Sequence, residues 1–362
     1  MNVEILHNLS GDYYVEFNNC LIHENMKIVN KNKNINLENF NSLSLILVPE
    51  GFRENLQQGL LKDRHYRSIE LTPEWRNDTF GNSYSARRIK GAGKYGSPNL
   101  NKKHTFMNIK DDQTGFVLGL LDAETSERSF LISEILLKNT IEAELPEISF
   151  KLENIYFEDE HGGDIIPLKE ALFKANIPLE KIKTDYVIQI DALGSNYRLQ
   201  DIMTPLLFKN SFKTCQTTLV AQVLKEVIDF LNQEQHTNHL ILNIENYINI
   251  FSKRLLINLG KLHSLNAIHG RLTPHNICMD GRLIDIDTIK GLIEINFNCN
   301  NELLQKDIDM LHSTLYLYYK QIAITLYPGD FEAKIKQWCS VTKQNFKYYE
   351  QLTGFYQDKI TI

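Results

Sequence analysis

Residues 267–287 read AIHGRLTPHNICMDGRLIDID and carry the strongest structural signal in the sequence. Two short apolar strands are joined there by Asp280-Gly281, the dipeptide that best fits a two-residue hairpin turn. Such a turn places Asn276 opposite Asp285 with their Cβ atoms about 5 Å apart, and Asp287 follows on the same face because strand side chains alternate. Converging amide and carboxylate oxygens suit Mg²⁺, a hard cation that shares its oxygen ligands with phosphates. The stretch therefore predicts a metal site.

This layout resembles the catalytic loop and metal-binding strand of protein-kinase-like folds, which read H-R-D-L-x-x-x-N and D-F-G. The loop of this chain reads HGRLTPHN over residues 269–276. Arg271 stands where a kinase keeps its catalytic aspartate, so ordinary transfer to a hydroxyl would lack its base. The loop is more similar to the His-Gly-x-x-Asn-Thr-Asp-Asn loop of the selenoprotein O family, pseudokinases by motif that transfer AMP instead of phosphate. In that family the acid before the metal-binding asparagine is the proposed base, and here that place holds His275.

Length and composition are those of an ordinary globular protein that is large enough for two packed lobes, with 362 residues of which 43% are hydrophobic. The net charge of −6 argues against a nucleic-acid binder, whose surface would be basic. No apolar run approaches the roughly 20 residues that span a bilayer. The first ten residues have no basic region ahead of an apolar run, so we expect no secretory signal there. We therefore expect neither a nucleic acid nor a membrane as a partner.

The cysteines indicate a reducing compartment. They are odd in number, widely scattered and never spaced as C-x-x-C: Cys20, Cys215, Cys278, Cys299 and Cys339. Scattered cysteines of this kind are typical of reduced thiols, so we expect a cytoplasmic location.

A strand that ends in Lys-Gly-Ala-Gly at residues 90–93 is a candidate phosphate site. Gly91 and Gly93 would let the backbone approach a phosphate closely. Selenoprotein O relatives carry Leu-Lys-Gly-Ala-Gly at their nucleotide lysine, so the resemblance implies that Lys90 contacts the nucleotide phosphates. Without that resemblance, a surface turn with a solvated lysine is the preferred interpretation.

Helical spacing predicts a helix whose N-cap is Thr125 or Ser126. In kinase-like folds a glutamate of such a helix pairs with the strand lysine and positions it. The segment resembles the family's Ser-x-x-Arg-Glu-Phe-Leu-x-Ser-Glu, with a spacing tolerance of one residue, and Arg128 matches its arginine. The resemblance implies a Lys90–Glu134 pair, while the alternative is a solvated glutamate on the helix surface.

A predicted strand at residues 186–191 leads into ALGSNYRLQD at residues 192–201. This segment is similar to the family's strand and its Ser-His-x-Arg-x-Gly-Thr-Phe element, whose arginine contacts phosphate. Ser195 and Arg198 match that element. Arginine offers a forked set of donors for phosphate oxygens, so Arg198 is a candidate phosphate ligand.

Apolar residues recur at intervals of three and four beyond residue 215, which predicts four amphipathic helices. The predicted helices cover residues 219–231, 248–262, 303–320 and 331–350.

A strand-rich half before a helix-rich half is the order of the two kinase lobes. We predict an α+β, bilobal protein-kinase-like fold with an N-terminal β-rich extension. Its predicted divisions are an accessory region at 1–75, a kinase-like β-rich N-lobe at 76–205 and a helical C-lobe at 206–362, which carries the catalytic loop and the metal strand. The accessory region is the candidate surface for a partner subunit.

The resemblance implies that ATP lies between the lobes with Mg²⁺, for which Mn²⁺ is an alternative. The implied phosphate ligands are Lys90, Arg198 and the metal, and the metal ligands are Asn276, Asp285 and Asp287. His275 is either the base, since an imidazole near neutral pKa suits that role, or a loop residue bonded to backbone. For Arg271 three roles are open: it contacts phosphate, it contacts an acidic substrate, or it stabilises the loop. We expect His269 to be structural.

Three functions compete. The first is nucleotidyl transfer, in which AMP is attached to a protein or peptide at a hydroxyl or at a carboxylate activated as an acyl-adenylate. The second is transfer of the γ-phosphate by an atypical kinase, and the third is a catalytically inactive nucleotide-binding scaffold or partner subunit. An active transferase is favoured by the motifs with lysine, glutamate, asparagine and aspartate, because a pure scaffold needs no pair of metal-binding residues.

Overall fold

The computed structural model describes residues 27–33, 59–60, 68–71, 76–78, 80–91, 120–159, 162–174, 179, 182–195, 197–203, 213–235 and 243–354. Within these residues strands dominate before residue 195 and helices dominate after it. The chain is a mixed protein of helices and an antiparallel sheet, so the predicted α+β class is confirmed. No helix among the described residues is both long and apolar enough to cross a bilayer.

The described strands are short and all precede residue 195. Their bounds are β1 Ile28–Lys31, β2 Gly59–Leu60, β3 Ser68–Leu71, β4 Arg76–Asn77, β5 Ser83–Tyr84, β6 Ala86–Lys90, β7 Leu121–Asp122, β8 Leu145–Lys151, β9 Asn154–Asp159, β10 Gly162–Pro167 and β11 Tyr186–Leu193. The helices are α1 Ala123–Lys138, α2 Leu168–Lys174, α3 Leu199–Met203, α4 Lys213–Gln235, α5 Ile244–Ser264, α6 Asn301–Leu326 and α7 Phe331–Thr353, and a 3₁₀ turn covers Ile286–Thr288.

The main sheet has the strand order β1-β8-β11-β6-β3-β2, with antiparallel neighbours throughout, and β7 pairs with β11 at its side. Strand β11 lies between β8 and β6 and is buried along its whole length. It nevertheless carries Gln189 and Asp191, which lie opposite Lys90 and Arg88 of β6. Buried polar groups need partners, so this pair of strands already marks a polar centre in the sheet.

Three strands of the main sheet come from the region that the sequence analysis set apart as an accessory module. Strand β1 pairs with β8, and β3 pairs with both β2 and β6. A boundary at residue 75 therefore does not separate these strands from the rest of the sheet. The short strands β9 and β10 form a separate hairpin.

The four long helices lie where helical periodicity predicted them, and Pro328-Gly329 separates α6 from α7. Helices α5 and α7 pack against each other, and α6 packs on α7. Large aromatic side chains fill their shared core: Tyr247, Phe251, Tyr318, Tyr319 and Trp338. The predicted start of α1 was wrong, because its N-cap is Asp122, whose Oδ1 accepts a hydrogen bond from the Thr125 backbone at 2.9 Å.

A buried ion network joins the end of β11 to the hairpin at residues 277–284. The Asp280 carboxylate accepts hydrogen bonds from the backbone N–H of Ser195 at 2.9 Å and of Arg282 at 3.1 Å. The Arg282 guanidinium pairs with Glu234 of α4. Gly194 makes this approach possible, since a Cβ there would lie 1.8 Å from Asp280 Oδ2.

We expect Gly194→Ala to lower the free energy of unfolding by about 1–3 kcal/mol, because the added methyl group must displace a buried carboxylate. Gly329→Ala is the matched control, since a Cβ at that position meets nothing within 4 Å, and it should change stability by less than about 0.5 kcal/mol. Urea denaturation measures both values. Equal stability of the two variants would contradict the close approach at Gly194.

Candidate functional site

The Asp280-Gly281 hairpin forms, but its turn differs from the predicted one. Ile277 pairs with Leu283, and the Cys278 N–H donates to the Arg282 carbonyl at 2.9 Å. Gly281 has a φ of +90° and its N–H donates to the Cys278 carbonyl at 3.0 Å. This is a three-residue loop in which a left-handed glycine forms a bulge. The predicted two-residue turn was therefore wrong by one residue of register.

The shifted register changes the residue that faces Asn276. The N–H of Ile284 donates to the Asn276 carbonyl at 3.1 Å, so Asn276 lies opposite Ile284 and the predicted Asn276–Asp285 pairing was wrong. Asp285 then leaves strand geometry, with φ 55° and ψ 49°, and begins the 3₁₀ turn that contains Asp287. A left-handed aspartate is uncommon. This turn of the backbone, rather than cross-strand pairing, sets the positions of the two carboxylates.

Lys90 of β6 reaches this turn directly. Its Nζ lies 3.2 Å from Asp285 Oδ1 and 3.9 Å from Asp287 Oδ1. It also donates to Glu144 Oε1 at 2.9 Å, and only 14% of its side chain is exposed. The alternative interpretation of Lys90 as a solvated surface lysine was therefore wrong.

The carboxylate that pairs with Lys90 belongs to Glu144, so the predicted Lys90–Glu134 pair was wrong. Glu134 makes no ion pair with a described residue and lies on the solvent face of α1. The exposed residues of that face recur at intervals of three and four: Glu124, Glu127, Leu131, Glu134 and Lys138. Helical periodicity therefore turns Glu134 away from the sheet.

Glu144 follows α1 and lies beside the hairpin. Its N–H donates to the Leu283 carbonyl at 2.8 Å, and its Oε1 accepts from the Ile286 N–H at 3.2 Å. The preceding residue, Ala143, forms a parallel bridge with Leu283. The glutamate is thus attached through its own backbone to the segment that carries Asp285.

Two further charged residues of the site were missed by the sequence analysis. Arg88, fully buried, contacts Glu144, Asp191 Oδ2 at 3.3 Å and Asp285 Oδ1 at 3.4 Å. Asp191 Oδ2 also lies 3.5 Å from Lys90 Nζ. A sequence signal existed for both, because Arg88 and Lys90 share one face of β6 at a spacing of two and Asp191 interrupts an apolar strand.

Burial and charge act in opposite directions on these groups. Burial raises the pKa of Glu144 to about 7, although Lys90 and Arg88 both lower it. Burial likewise raises the pKa of Asp287. For Asp285, burial is outweighed by Lys90 and Arg88, which hold its pKa below the ordinary value. Carboxylates, Glu144 above all, outweigh burial at Lys90 and raise its pKa, so that lysine stays charged.

The cluster holds more acids than bases. Among the described residues, Glu144, Asp191, Asp285 and Asp287 pair with two cations, Arg88 and Lys90, so this set carries an excess of two negative charges when all are ionised. Oxygens of three of these acids lie within 4.8 Å of one another: Glu144, Asp285 and Asp287. Carboxylate oxygens are the ligands that Mg²⁺ prefers, so the chemistry of this donor set fits the predicted ion. Glu144 joins the candidate metal ligands.

Asn276 and Arg271 are linked within the loop. Asn276 is buried and its Nδ2 donates to the Arg271 carbonyl at 2.9 Å, which orients the amide and leaves Oδ1 as its ligand atom. The Arg271 side chain is exposed, and His275 is half-buried.

The predicted phosphate ligands outside the cluster have separate positions. Gly91 has a φ of +79°, and a Cβ there would lie 2.5 Å from the Val187 carbonyl oxygen, so strand packing already requires this glycine. Gly93 lies outside the described residues. The Arg198 N–H donates to Asp201 Oδ2 at 2.7 Å. No hydrogen bond or ion pair between described residues joins the Arg198 side chain to the Lys90 cluster.

His269 supports the loop backbone, in agreement with its predicted structural role. Its ring is buried and its Nε2 donates to the Ile284 carbonyl at 3.0 Å. The backbone N–H groups of His269 and Gly270 donate to the Asp307 carboxylate at 2.7 and 2.8 Å. Asp307 of α6 therefore anchors the beginning of the loop.

Stability should fall on acidification because of His269. Burial lowers the pKa of its ring. This effect outweighs the nearby groups that favour the charged ring, which are Asp307, the Ile284 carbonyl, Asp285 and Asp287. The unfolded chain therefore binds a proton near pH 6.5 that the folded chain refuses, and stability is lost as the pH falls below that value. We expect His269→Gln to flatten the decline in unfolding free energy between pH 7 and pH 5. An unchanged slope in urea denaturation would contradict the buried neutral ring.

The site thus joins a strand lysine and arginine to four carboxylates from three parts of the chain. The loop that carries His275 and Asn276 begins on the Asp307 anchor and continues into the hairpin that leads to Asp285.

Comparison with known proteins finds no family model that matches the chain and no curated protein that matches it.

Proposed function

We propose that the chain is an ATP- and Mg²⁺-dependent nucleotidyltransferase that attaches AMP to a protein or peptide. The acceptor group is a hydroxyl, or a carboxylate activated as an acyl-adenylate. The observation that carries the proposal is the approach of Lys90 Nζ to Asp285 and Asp287, at 3.2 and 3.9 Å. A lysine beside two acids is how phosphoryl-transfer sites hold phosphates and a divalent cation together.

The same geometry supports a bilobal, kinase-like arrangement. The main sheet supplies Lys90 and Arg88, and the segment before α6 supplies Asn276, Asp285 and Asp287. ATP would lie between these two parts.

We also propose that the protein is cytoplasmic, because its scattered cysteines lack the spacing of a disulfide framework.

Asp285 and Asp287 would hold Mg²⁺ or Mn²⁺, with Glu144 beside them and the Asn276 amide oxygen as a further candidate donor. The ion, when bound, neutralises phosphate charge and orients the phosphates. Lys90 binds phosphate as a point charge, and Glu144 keeps its ammonium charged and directed toward Asp285. Arg198 and Arg271 are the further phosphate candidates, and the exposed Arg271 also suits an acidic acceptor.

His275 is the proposed base. It directly precedes Asn276 and is half-buried, and a neutral imidazole accepts a proton near pH 7. The proton of the attacking hydroxyl would pass to the ring as the oxygen attacks the α-phosphorus, with pyrophosphate as the leaving group. A carboxylate acceptor, already ionised, needs no such base.

The decisive assay supplies ATP labelled at either the α- or the γ-phosphate, with the purified chain and a mixture of lysate proteins as acceptors. We expect the α label on the product. The γ label on the product would instead show an atypical kinase. ATP binding with neither label transferred would show a scaffold.

Asp285→Ala should abolish transfer, because it removes a metal ligand and the partner of Lys90, whereas Glu134→Gln should retain activity within about twofold, as exposed substitutions usually do. His275→Ala should lower the rate about 10²- to 10⁴-fold if the ring is a general base. Full activity of Asp285→Ala in the labelled-ATP assay would refute the metal assignment. An unchanged rate for His275→Ala would remove the base alone.

A further inference from the structure

Arg128 of α1 contacts the segment that carries Asp285 and Asp287. Its Nε donates to the Asp287 carbonyl oxygen at 2.7 Å, and its Nη2 donates to the Ile289 carbonyl oxygen. The same Nη2 pairs with Glu294 Oε1 at 2.5 Å. A guanidinium carries several donors in a rigid plane, so one side chain holds three points of this segment.

Glu294 extends these contacts along the same segment. Its Oε2 accepts a hydrogen bond from the Gly291 N–H at 2.8 Å. Burial raises the pKa of Glu294, but the Gly291 amide and Arg128 outweigh it and hold the pKa below the ordinary value. The carboxylate is therefore charged at neutral pH and closes residues 287–294 into a loop around the Arg128 guanidinium.

The same loop is also bonded to the residues just before the catalytic-loop motif. Lys290 and Ile268 exchange backbone hydrogen bonds of 2.9 and 3.0 Å. Gly291 has a φ of +96°, and a Cβ there would lie 2.5 Å from the Asn266 carbonyl oxygen. The segment that Arg128 contacts is therefore also bonded to the residues that lead into the loop with His275 and Asn276.

Helix α1 is therefore connected to the site in an unexpected way. Its Glu134 faces solvent, and the helix contacts the 3₁₀ turn Ile286–Thr288 instead. Arg128 contacts backbone carbonyls there, so it does not compete for the acidic oxygens that face Lys90.

We propose that Arg128 is a positioning residue that sets the direction of the Asp287 carboxylate toward the cation site. This role rests on the proposed function. The guanidinium fixes the peptide carbonyl of Asp287, and the left-handed backbone of Asp285 fixes the other end of the turn. With both ends held, the two carboxylates are oriented before an ion arrives, and a preorganised site binds more tightly.

The test compares three variants of the full chain with the wild type. Arg128→Lys keeps the charge but loses the planar fork, Glu294→Gln removes one anchor of the guanidinium, and Glu127→Gln is the control on the exposed face of the same helix. Binding of Mn²⁺ alone is followed by electron paramagnetic resonance. Amide hydrogen exchange of residues 288–290 is measured without metal or nucleotide, so that it reports the segment independently of catalysis.

We expect Arg128→Lys to raise the Kd for Mn²⁺ about tenfold, the lower end of the effect of removing groups that orient metal ligands. Exchange at residues 288–290 should accelerate about tenfold as well, since the hydrogen bonds of the turn open more often. Glu294→Gln should show about a threefold change in both, and Glu127→Gln less than twofold. If Arg128→Lys does not fold, Glu294→Gln carries the comparison.

Unchanged exchange in a folded Arg128→Lys variant would overturn the proposal. Faster exchange with unchanged Mn²⁺ affinity would also overturn it, because the arginine would then be structural only. Failure of the proposed function appears differently, as a wild type that binds no Mn²⁺, and this outcome removes the cation site and the positioning role together.

Discussion

The burial of Arg88 and Lys90 on one face of strand β6 dictates which distant parts of the chain must come together. Arg88 and Lys90 point to the same side of the main sheet, and a buried charge without a partner is destabilising by several kcal/mol. Their partners come from distant parts of the chain, namely Glu144, Asp191 and Asp285. The sheet, the segment after α1 and the turn after the hairpin must therefore meet for the charges to be balanced. Architecture and candidate chemistry share one cause.

Local patterns predicted those features that depend on local physics. Helical periodicity located the four long helices, and Asp280-Gly281 located the hairpin. The turn type was beyond reach, since Asp-Gly fits a two-residue turn and also a three-residue loop with a glycine bulge. Packing also requires glycine at this place, because Gly281 lies against helix α5 and a Cβ there would be only 3.0 Å from the Phe251 carbonyl oxygen. A register that differs by one residue changed the neighbour of Asn276.

The partner of Lys90 shows more clearly what local sequence patterns could not predict. Resemblance favoured Glu134 because of its place in a helix, yet the exposed stripe of α1 contains that residue. Glu144 carries no local signal of its role, since its position depends on the bridge between Ala143 and Leu283, which are far apart in sequence. Arg128 was recognised as a motif residue, but its contact with the Asp287 carbonyl is equally non-local. Such contacts follow from tertiary packing, which short-range patterns do not encode.

We expect Lys90 and Glu144 to form the energetically coupled pair of this site. A double-mutant cycle measures that coupling directly from unfolding free energies of Lys90→Met, Glu144→Gln and the combined variant. We expect an interaction energy of about 1–3 kcal/mol for this pair, and a value near zero for the matched cycle of Lys90→Met with Glu134→Gln. Coupling to Glu134, or none to Glu144, would contradict the site described.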